Sequence, residues 1–217
     1  MNPWEAIWDH RNLILSGLWL TVVMSVITIV TSTLLGLGVA LLYRARIPVV
    51  TQILRGYIEL FRGSPMLIQL LFIYFGAAYL GVRGFVPFAA ACVSITLYIG
   101  ALNAEVFRAG LESVPDGQVE AARTLGLSRF DRTVFVVLPQ AMRISLAPLV
   151  GQWIALVKYT SFASIIGVPE LVRQGQGIIE RYGGAFEVLT VVAALYFILC
   201  FPMSQLASYL ERKTVRS

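Results

Sequence analysis

Lysine, histidine and charge are all scarce in this 217-residue chain, and each scarcity excludes a chemistry. There are two lysines: Lys158 follows Val157 and Lys213 follows Arg212. Neither completes a Gly-Lys-[Ser/Thr] phosphate-binding loop, so the chain does not hydrolyse ATP by that route. The single histidine, His10, belongs to no His-Glu-x-x-His pair, and Cys92 and Cys200 stand alone in apolar surroundings, where thiols behave as small hydrophobes. Zinc and serine-hydrolase chemistry lack their minimal parts, the latter because no Gly-x-Ser-x-Gly occurs. Charged residues make up 13% of the chain, against roughly a quarter in soluble globular domains.

What is present is apolar length. Hydrophobic residues account for 58%, and they gather in five runs at 13–43, 64–80, 85–109, 148–168 and 186–210. A helix rising ~1.5 Å per residue crosses a ~30 Å hydrocarbon core in about 20 residues, so we expect five transmembrane helices. The first run has Trp4, Glu5 and Asp9 on its flank with only Arg11 positive, and it is about twice the length of a signal-peptide core, so it is expected to stay in the membrane. Arginine sets the orientation. Arg44 and Arg46, then Arg108, Arg123, Arg129 and Arg132, then Arg212, Lys213 and Arg216 follow the first, third and fifth runs, whereas the opposite ends offer Arg11, Arg83, Arg173 and Arg181. The amino terminus is expected outside and the carboxyl terminus in the cytoplasm. The net charge of +5 is explained by these juxtamembrane loops and calls for no nucleic acid.

One cytoplasmic stretch is built differently. At 116–126 the chain reads DGQVEAARTLG: Asp116 is expected as N-cap, Glu120 adds negative charge near the start, and Gly126 supplies a left-handed stop after Leu125. About ten residues are too few to span a bilayer. The adjacent Ala121 and Ala122 leave the backbone approachable, and Leu125 offers an apolar anchor, a pattern suited to docking in a groove or to resting on lipid headgroups.

In the fourth run, Lys158 lies ten residues beyond Pro148, about 15 Å along a helix, which predicts a charge near mid-bilayer. Such a residue contacts solute or pairs with a carboxylate such as Glu105. Tyr159, Thr160, Ser161 and Ser164 follow with hydroxyls, and Gly167 with Pro169 breaks the helix. Gln69 and Asn103 are further polar groups within apolar runs, expected either to line a pathway or to bond between helices. Glu105, Arg108 and Glu112 share one helical face and predict an ion network. Glu59 and Arg62 precede a break at Gly63-Ser64-Pro65 between an interfacial helix and the second run. Gly17, Thr21, Ser25, Thr28, Ser32, Gly36 and Ala40 form a small-residue stripe, which predicts a face buried against protein. The segment 169–181 reads as a short interfacial helix with a flexible elbow.

EAARTLG at 120–126, nine residues, then VVLP at 136–139 resembles the EAA loop of binding-protein-dependent ABC importer permeases. GLWLTVVMS at 17–25, ELFRGSPMLIQL at 59–70 and VKYTSFASIIGVPEL at 157–171 are similar to the polar amino acid (histidine/arginine/glutamine-type) subfamily, and the resemblance covers nearly the whole chain. It implies one all-helical permease domain over 1–217 in a bacterial inner membrane. Glu120, Ala121, Ala122, Leu125 and Gly126 would couple to two separate ATPase subunits, which hold the ATP and magnesium, so the chain needs no cofactor of its own. A second permease subunit, an extracytoplasmic substrate-binding protein and a polar amino acid substrate are the other partners implied. Lys158, Thr160, Ser161, Ser164, Asn103 and Gln69 are the candidates for substrate contact. An ion-gradient-driven transporter and a non-transporting regulatory subunit are the alternatives; the former typically shows internal repeats, and none is visible.

The charge asymmetry makes a direct prediction. In a background lacking Cys92 and Cys200, Ser128→Cys should be shielded from an impermeant thiol reagent in intact cells and Gln176→Cys should label; the reverse labelling pattern overturns the orientation.

Overall fold

The computed structural model describes residues 2–45, 47–82, 84 and 86–215, without the side chains of 214 and 215. Arg46, Arg83 and Arg216 of the charge count, and Phe85 at the expected start of the third run, lie outside the described residues. Every described element is helical: α1 (Pro3–Asp9), α2 (Arg11–Arg44), α3 (Pro48–Gly63), α4 (Met66–Tyr79), α5 (Pro87–Glu112), α6 (Asp116–Thr124), α7 (Arg129–Asp131), a π-helical turn (Arg132–Val137), α8 (Leu138–Tyr159), a 3-10 stretch (Thr160–Ile166), α9 (Leu171–Tyr182) and α10 (Ala185–Val215).

Four helical stretches are long and apolar enough to cross a membrane: Arg11–Arg44, Pro87–Glu112, Arg129–Ile166 and Ala185–Lys213. The pair α3 and α4, bent by 110°, brings the count to five. The bend falls at Gly63-Ser64-Pro65, where proline has no N–H to continue α3 and forces its predecessor out of the helical region; Ser64 is extended, with φ −128° and ψ 149°. The fourth stretch departs from expectation. It does not begin near Pro148 but runs in from Arg129, with Pro148 inside α8. Apolarity marks only the part of a helix that needs covering, and the polar first turns of this one carry no such signal. The π turn sits directly ahead of Pro139, which cannot donate an N–H back to Phe135.

α5 is the most buried of the spanning helices, with α2 and α8 packed on either side of it and α10 against α8. The expected stripe on α2 is where α5 and α9 lie: Gly17, Thr21, Ser25, Thr28, Ser32, Gly36 and Ala40 are all buried. Glycines set the closest points. A Cβ placed on Gly36 would meet the Cβ of Asn103 on α5 at 2.5 Å and the backbone N of Ala104 at 2.9 Å, and one on Gly17 would meet Leu171 Cα at 3.0 Å. Ser25 and Thr28 turn their hydroxyls back onto their own helix, to the Thr21 and Met24 carbonyls, both at 2.7 Å, and so present small apolar contours outward.

The ion network on α5 forms as expected. Arg108 donates to Glu105 at 3.0 Å and to Glu112 at 2.9 Å, and Arg62 of α3 joins Glu105 at 3.1 Å. Glu59 and Arg62 therefore do not pair with one another; Glu59 lies 3.9 Å from Arg55 instead, because Arg62 turns inward toward α5. Tyr57 of α3 donates to the Leu97 carbonyl of α5 at 2.6 Å, and the Gln69 amide holds the α3–α4 elbow, donating to the carbonyls of Phe61 and Ser64 at 2.9 and 3.0 Å.

Because Gly36 faces backbone at sub-contact distance while a Cβ on Gly38 would meet nothing within 4 Å, the two glycines should respond oppositely to alanine. Gly36→Ala is expected to destabilise by about 1–3 kcal/mol through overpacking, and Gly38→Ala to be neutral or stabilising through helix propensity; thermal unfolding of the purified variants in one detergent measures both.

Candidate functional site

The first candidate surface is α6 and the turn after it. Pro115, extended at φ −58° and ψ 136°, is the helix boundary, and no side chain caps it. Asp116 is thus the first helical residue rather than the N-cap, since Pro115 already fixes the entry and leaves Asp116 helical; its charge still faces the positive end of the helix. The stop is as expected. Gly126 has φ +77°, and the N–H groups of Gly126 and Leu127 reach the carbonyls of Arg123 at 3.0 Å and Ala122 at 3.2 Å, closing the last turn in a Schellman arrangement.

The two faces of α6 then separate. Val119 packs into the cluster of Leu111, Val114 and Val137, and Ala122, expected on the docking side, is buried instead; the inner face of α6 lies against the π-helical turn. Glu120 and Ala121 face outward, and Leu125 is 80% exposed. Phe130 and Phe135, on the helical segments that follow, are also largely exposed; the sequence offered no signal that separates them from buried aromatics. An exposed apolar anchor on a helix held rigidly from behind is what a protein partner's groove requires.

The second candidate region is the end of α8. Lys158 is exposed on its last turn, and among the described residues it makes no ion pair. The expected alternative partner, Glu105, is engaged by Arg62 and Arg108. The hydroxyls beyond Lys158 serve the tightening of the helix: Thr160 donates to the Val157 carbonyl, Ser161 to that of Lys158 and Ser164 to that of Ser161, each at 2.7 Å. Thr160 and Ser164 are buried, Ser161 half-buried. Tyr159 packs edge-on against Tyr98 at 5.6 Å.

Asn103 and Gln69 do not join this group. Asn103 is fully buried in the α2–α5 seam, its amide 3.5 Å from Ser32 Oγ, and Gln69 closes the α3–α4 elbow. Their amide nitrogens make the bonds between helices and within the elbow, while Gln69 Oε1 and Asn103 Oδ1 have no hydrogen-bond partner among the described residues. The residues 158, 160, 161 and 164 alone share one stretch.

A residue read from sequence as part of a solvated rim is the most buried acid in the chain. Glu170 has 0% exposure. It caps α9, accepting from the N–H groups of Val172 at 3.0 Å and Arg173 at 2.8 Å, and it accepts from the Tyr196 hydroxyl of α10 at 3.1 Å. Beside it the Leu171 N–H donates to Thr21 Oγ1 of α2 at 3.2 Å. One carboxylate thus ties α9 to α10 next to the small-residue stripe of α2. Desolvation raises its pKa above the ordinary 4.5, and the three donors only partly offset this. The signal, a Pro-Glu pair ahead of an amphipathic helix, was present but looked the same as an exposed cap.

These helices define an all-helical, multi-pass membrane protein. Residues 32–216 match the family described as binding-protein-dependent transport system inner membrane component, and the chain belongs to it: a multi-pass membrane protein and a transport component. It is 38% identical over 214 residues to the glutamine transport system permease protein GlnP of Escherichia coli K12, covering 97% of this chain and 96% of that one. With the L-cystine transport system permease protein TcyB of Bacillus subtilis 168 it shares 35% identity over 99% of this chain and 92% of the relative. Among solved structures, an amino acid ABC transporter crystallised with histidines superposes with a TM-score of 0.87 at 33% identity, over 95% of this chain and 96% of that one. The MetNI methionine ABC transporter in an inward-facing form gives 0.79 at 24% identity, a likeness of fold.

The capped carboxylate leads to a pH prediction. A folded-state pKa above the unfolded value means that the native protein binds the proton more tightly; the associated stability is full below 4.5 and is lost as pH rises through the raised native value. Glu170→Gln keeps the acceptor and a polar group toward Tyr196 without the charge. The difference in melting temperature between Glu170→Gln and the wild type should therefore move in favour of the variant as pH rises, and a difference independent of pH would contradict the assignment.

Proposed function

We propose that this chain is the permease subunit of an ATP-driven importer of polar amino acids, acting as a single transmembrane domain over 1–217. The observation that carries the reading is the rigid helix α6 with Leu125 exposed beside the Gly126 stop, in a member of a transport family whose similar relatives are named for glutamine and cystine. In this reading the amino terminus is outside, the carboxyl terminus is cytoplasmic, and Glu120, Ala121, Leu125 and Gly126 meet an ATPase subunit that binds ATP and magnesium. Ala122 supports the helix from within. Two such ATPases, a second permease subunit of the same or a related kind and an extracytoplasmic binding protein complete the assembly.

The solute meets Lys158 at the end of α8, where an ammonium with no carboxylate neighbour suits the α-carboxylate common to all amino acids. Ser161 is the hydroxyl of the following turn that remains partly open. ATP-driven closure of the partners moves α6, and through Val119 the force reaches Leu111 at the end of α5, Val114 just beyond it, and Val137 of the π-helical turn. Movement of α6 and opening of the pathway are coupled because α6 packs on the π-helical turn that leads into α8.

Reconstitution in liposomes tests the proposal. With the ATPase subunits and binding protein, uptake of a labelled polar amino acid should require ATP. Leu125→Asp should insert normally, since the residue is exposed, but lose ATPase copurification; Lys158→Met should assemble, keep basal ATP hydrolysis and lose at least about tenfold in uptake, the scale of one charge-assisted contact of 1.5–3 kcal/mol. ATP-independent uptake, or full transport by both variants, sinks the reading.

A further inference from the structure

A cavity borders α6 at Val119, lined by none of the residues around Lys158. Its volume is about 490 Å³, and its polar wall is made of Arg44, Arg129 and Arg132 while Leu41, Phe130 and Leu138 supply an apolar one. Among the described residues no carboxylate lines it. Among the described residues none of the three arginines forms an ion pair. Arg44 donates to the Leu111 carbonyl at 3.3 Å and Arg132 to that of Ser128 at 3.4 Å, which orients two guanidinium groups without neutralising either. The nearby acid, Asp131, accepts from the Ser128 hydroxyl at 2.6 Å. A larger cavity of about 830 Å³ adjoins through Arg44 and Arg129; it contains Glu112 and Asp116, of which Glu112 is already bound by Arg108.

Three unneutralised guanidinium groups converging from two chain segments 85 residues apart repel one another unless an anion sits between them. Guanidinium forks match phosphate oxygens in pairs. The apolar wall selects among phosphates: a soluble phosphate would use the arginines alone, whereas a glycerophospholipid also places its first acyl carbons on Leu41, Phe130 and Leu138. Position agrees, since Arg44 terminates the apolar helix α2 at the level where the hydrocarbon of one leaflet gives way to headgroups. We propose that this cavity is a binding site for the phosphate of an acidic glycerophospholipid, held by Arg44, Arg129 and Arg132 in the leaflet bordering α6.

The site does not depend on the identity of the transported solute or on which side of the membrane α6 faces. Lipid bound there lies between the end of α2 and the segment that carries Phe130, so it stiffens the mount of α6 from the lipid side.

Native mass spectrometry of the full chain, extracted from nanodiscs of equal phosphatidylglycerol and phosphatidylcholine, reads the proposal. Phosphatidylglycerol should be retained preferentially, and the preference should fall about fivefold for each arginine changed to glutamine, from about 1 kcal/mol of attraction to acidic lipid per residue. Arg129→Gln alone tests the point if the triple glutamine variant does not fold, because Arg129 is exposed; R44K/R129K/R132K should keep most of the preference, and Arg181→Gln, at the far end of α9, all of it. Four results overturn the site: no preference in the wild type, a preference unchanged by Arg129→Gln, equal displacement by inorganic phosphate at the lipid's concentration, or loss of the lipid on binding the ATPase subunit. The third would reassign it to a soluble anion and the fourth to a protein surface. A failure of amino acid uptake would leave these measurements untouched.

Discussion

Everything in this chain rests on how closely α2 and α5 approach. In a bilayer, apolar side chains gain nothing by leaving lipid for protein, so helices associate where their backbones can come near enough for dense van der Waals contact. Gly36 against Asn103 and Ala104 is that point, and the back-bonded serines and threonines extend it along α2. α5, once fixed, holds α8 on its other side and carries the Glu105, Arg108 and Glu112 network that captures α3 through Arg62. Leu111 at the end of α5 and Val114 just beyond it belong to the apolar cluster on which Val119 of α6 packs. A shift of α2 against α5 would reach the elbow through Arg62 and Tyr57.

The polar residues inside this frame divide into those that hold it and those that remain open. The amide nitrogens of Gln69 and Asn103 serve the elbow and the seam. Glu170 belongs with them: a carboxylate survives complete burial by accepting two backbone N–H groups and one phenol. Lys158, by contrast, is left exposed at the end of α8. Openness, more than residue type, distinguishes a position available to a solute.

Much of this was legible in the sequence, for definite reasons. The stripe at Gly17 to Ala40, the break at Gly63-Ser64-Pro65, the ion triplet on α5 and the Gly126 stop are all local patterns, in which the spacing of a few residues determines the outcome. What failed depended on tertiary distance. Pro148 looked like a helix start because apolarity begins there, yet the helix had already run in from Arg129. Glu105 looked free for Lys158 because nothing in the sequence brings Arg62 to it. Ala121 and Ala122 looked equivalent, and only the packing of α6 on the π-helical turn buries one of them. Glu170 carried no pattern at all that separates a buried cap from an exposed one.

The seven residues Thr160–Ile166 are wound as a 3-10 helix, and this has a metrical consequence. A 3-10 helix rises about 2.0 Å and turns 120° per residue, against 1.5 Å and 100° in an α-helix. Over seven residues the tighter winding reaches about 3.5 Å further and rotates the exit by about 140°. Rewound as α, the segment would release the chain at Gly167 on another side and at another height. Glu170 would then face away from Tyr196, and α9 would lose its seat on α2. The winding of that short stretch is a gauge block: it sets the offset between the two halves of the chain, and a change of pitch there is translated into a step of one whole helix.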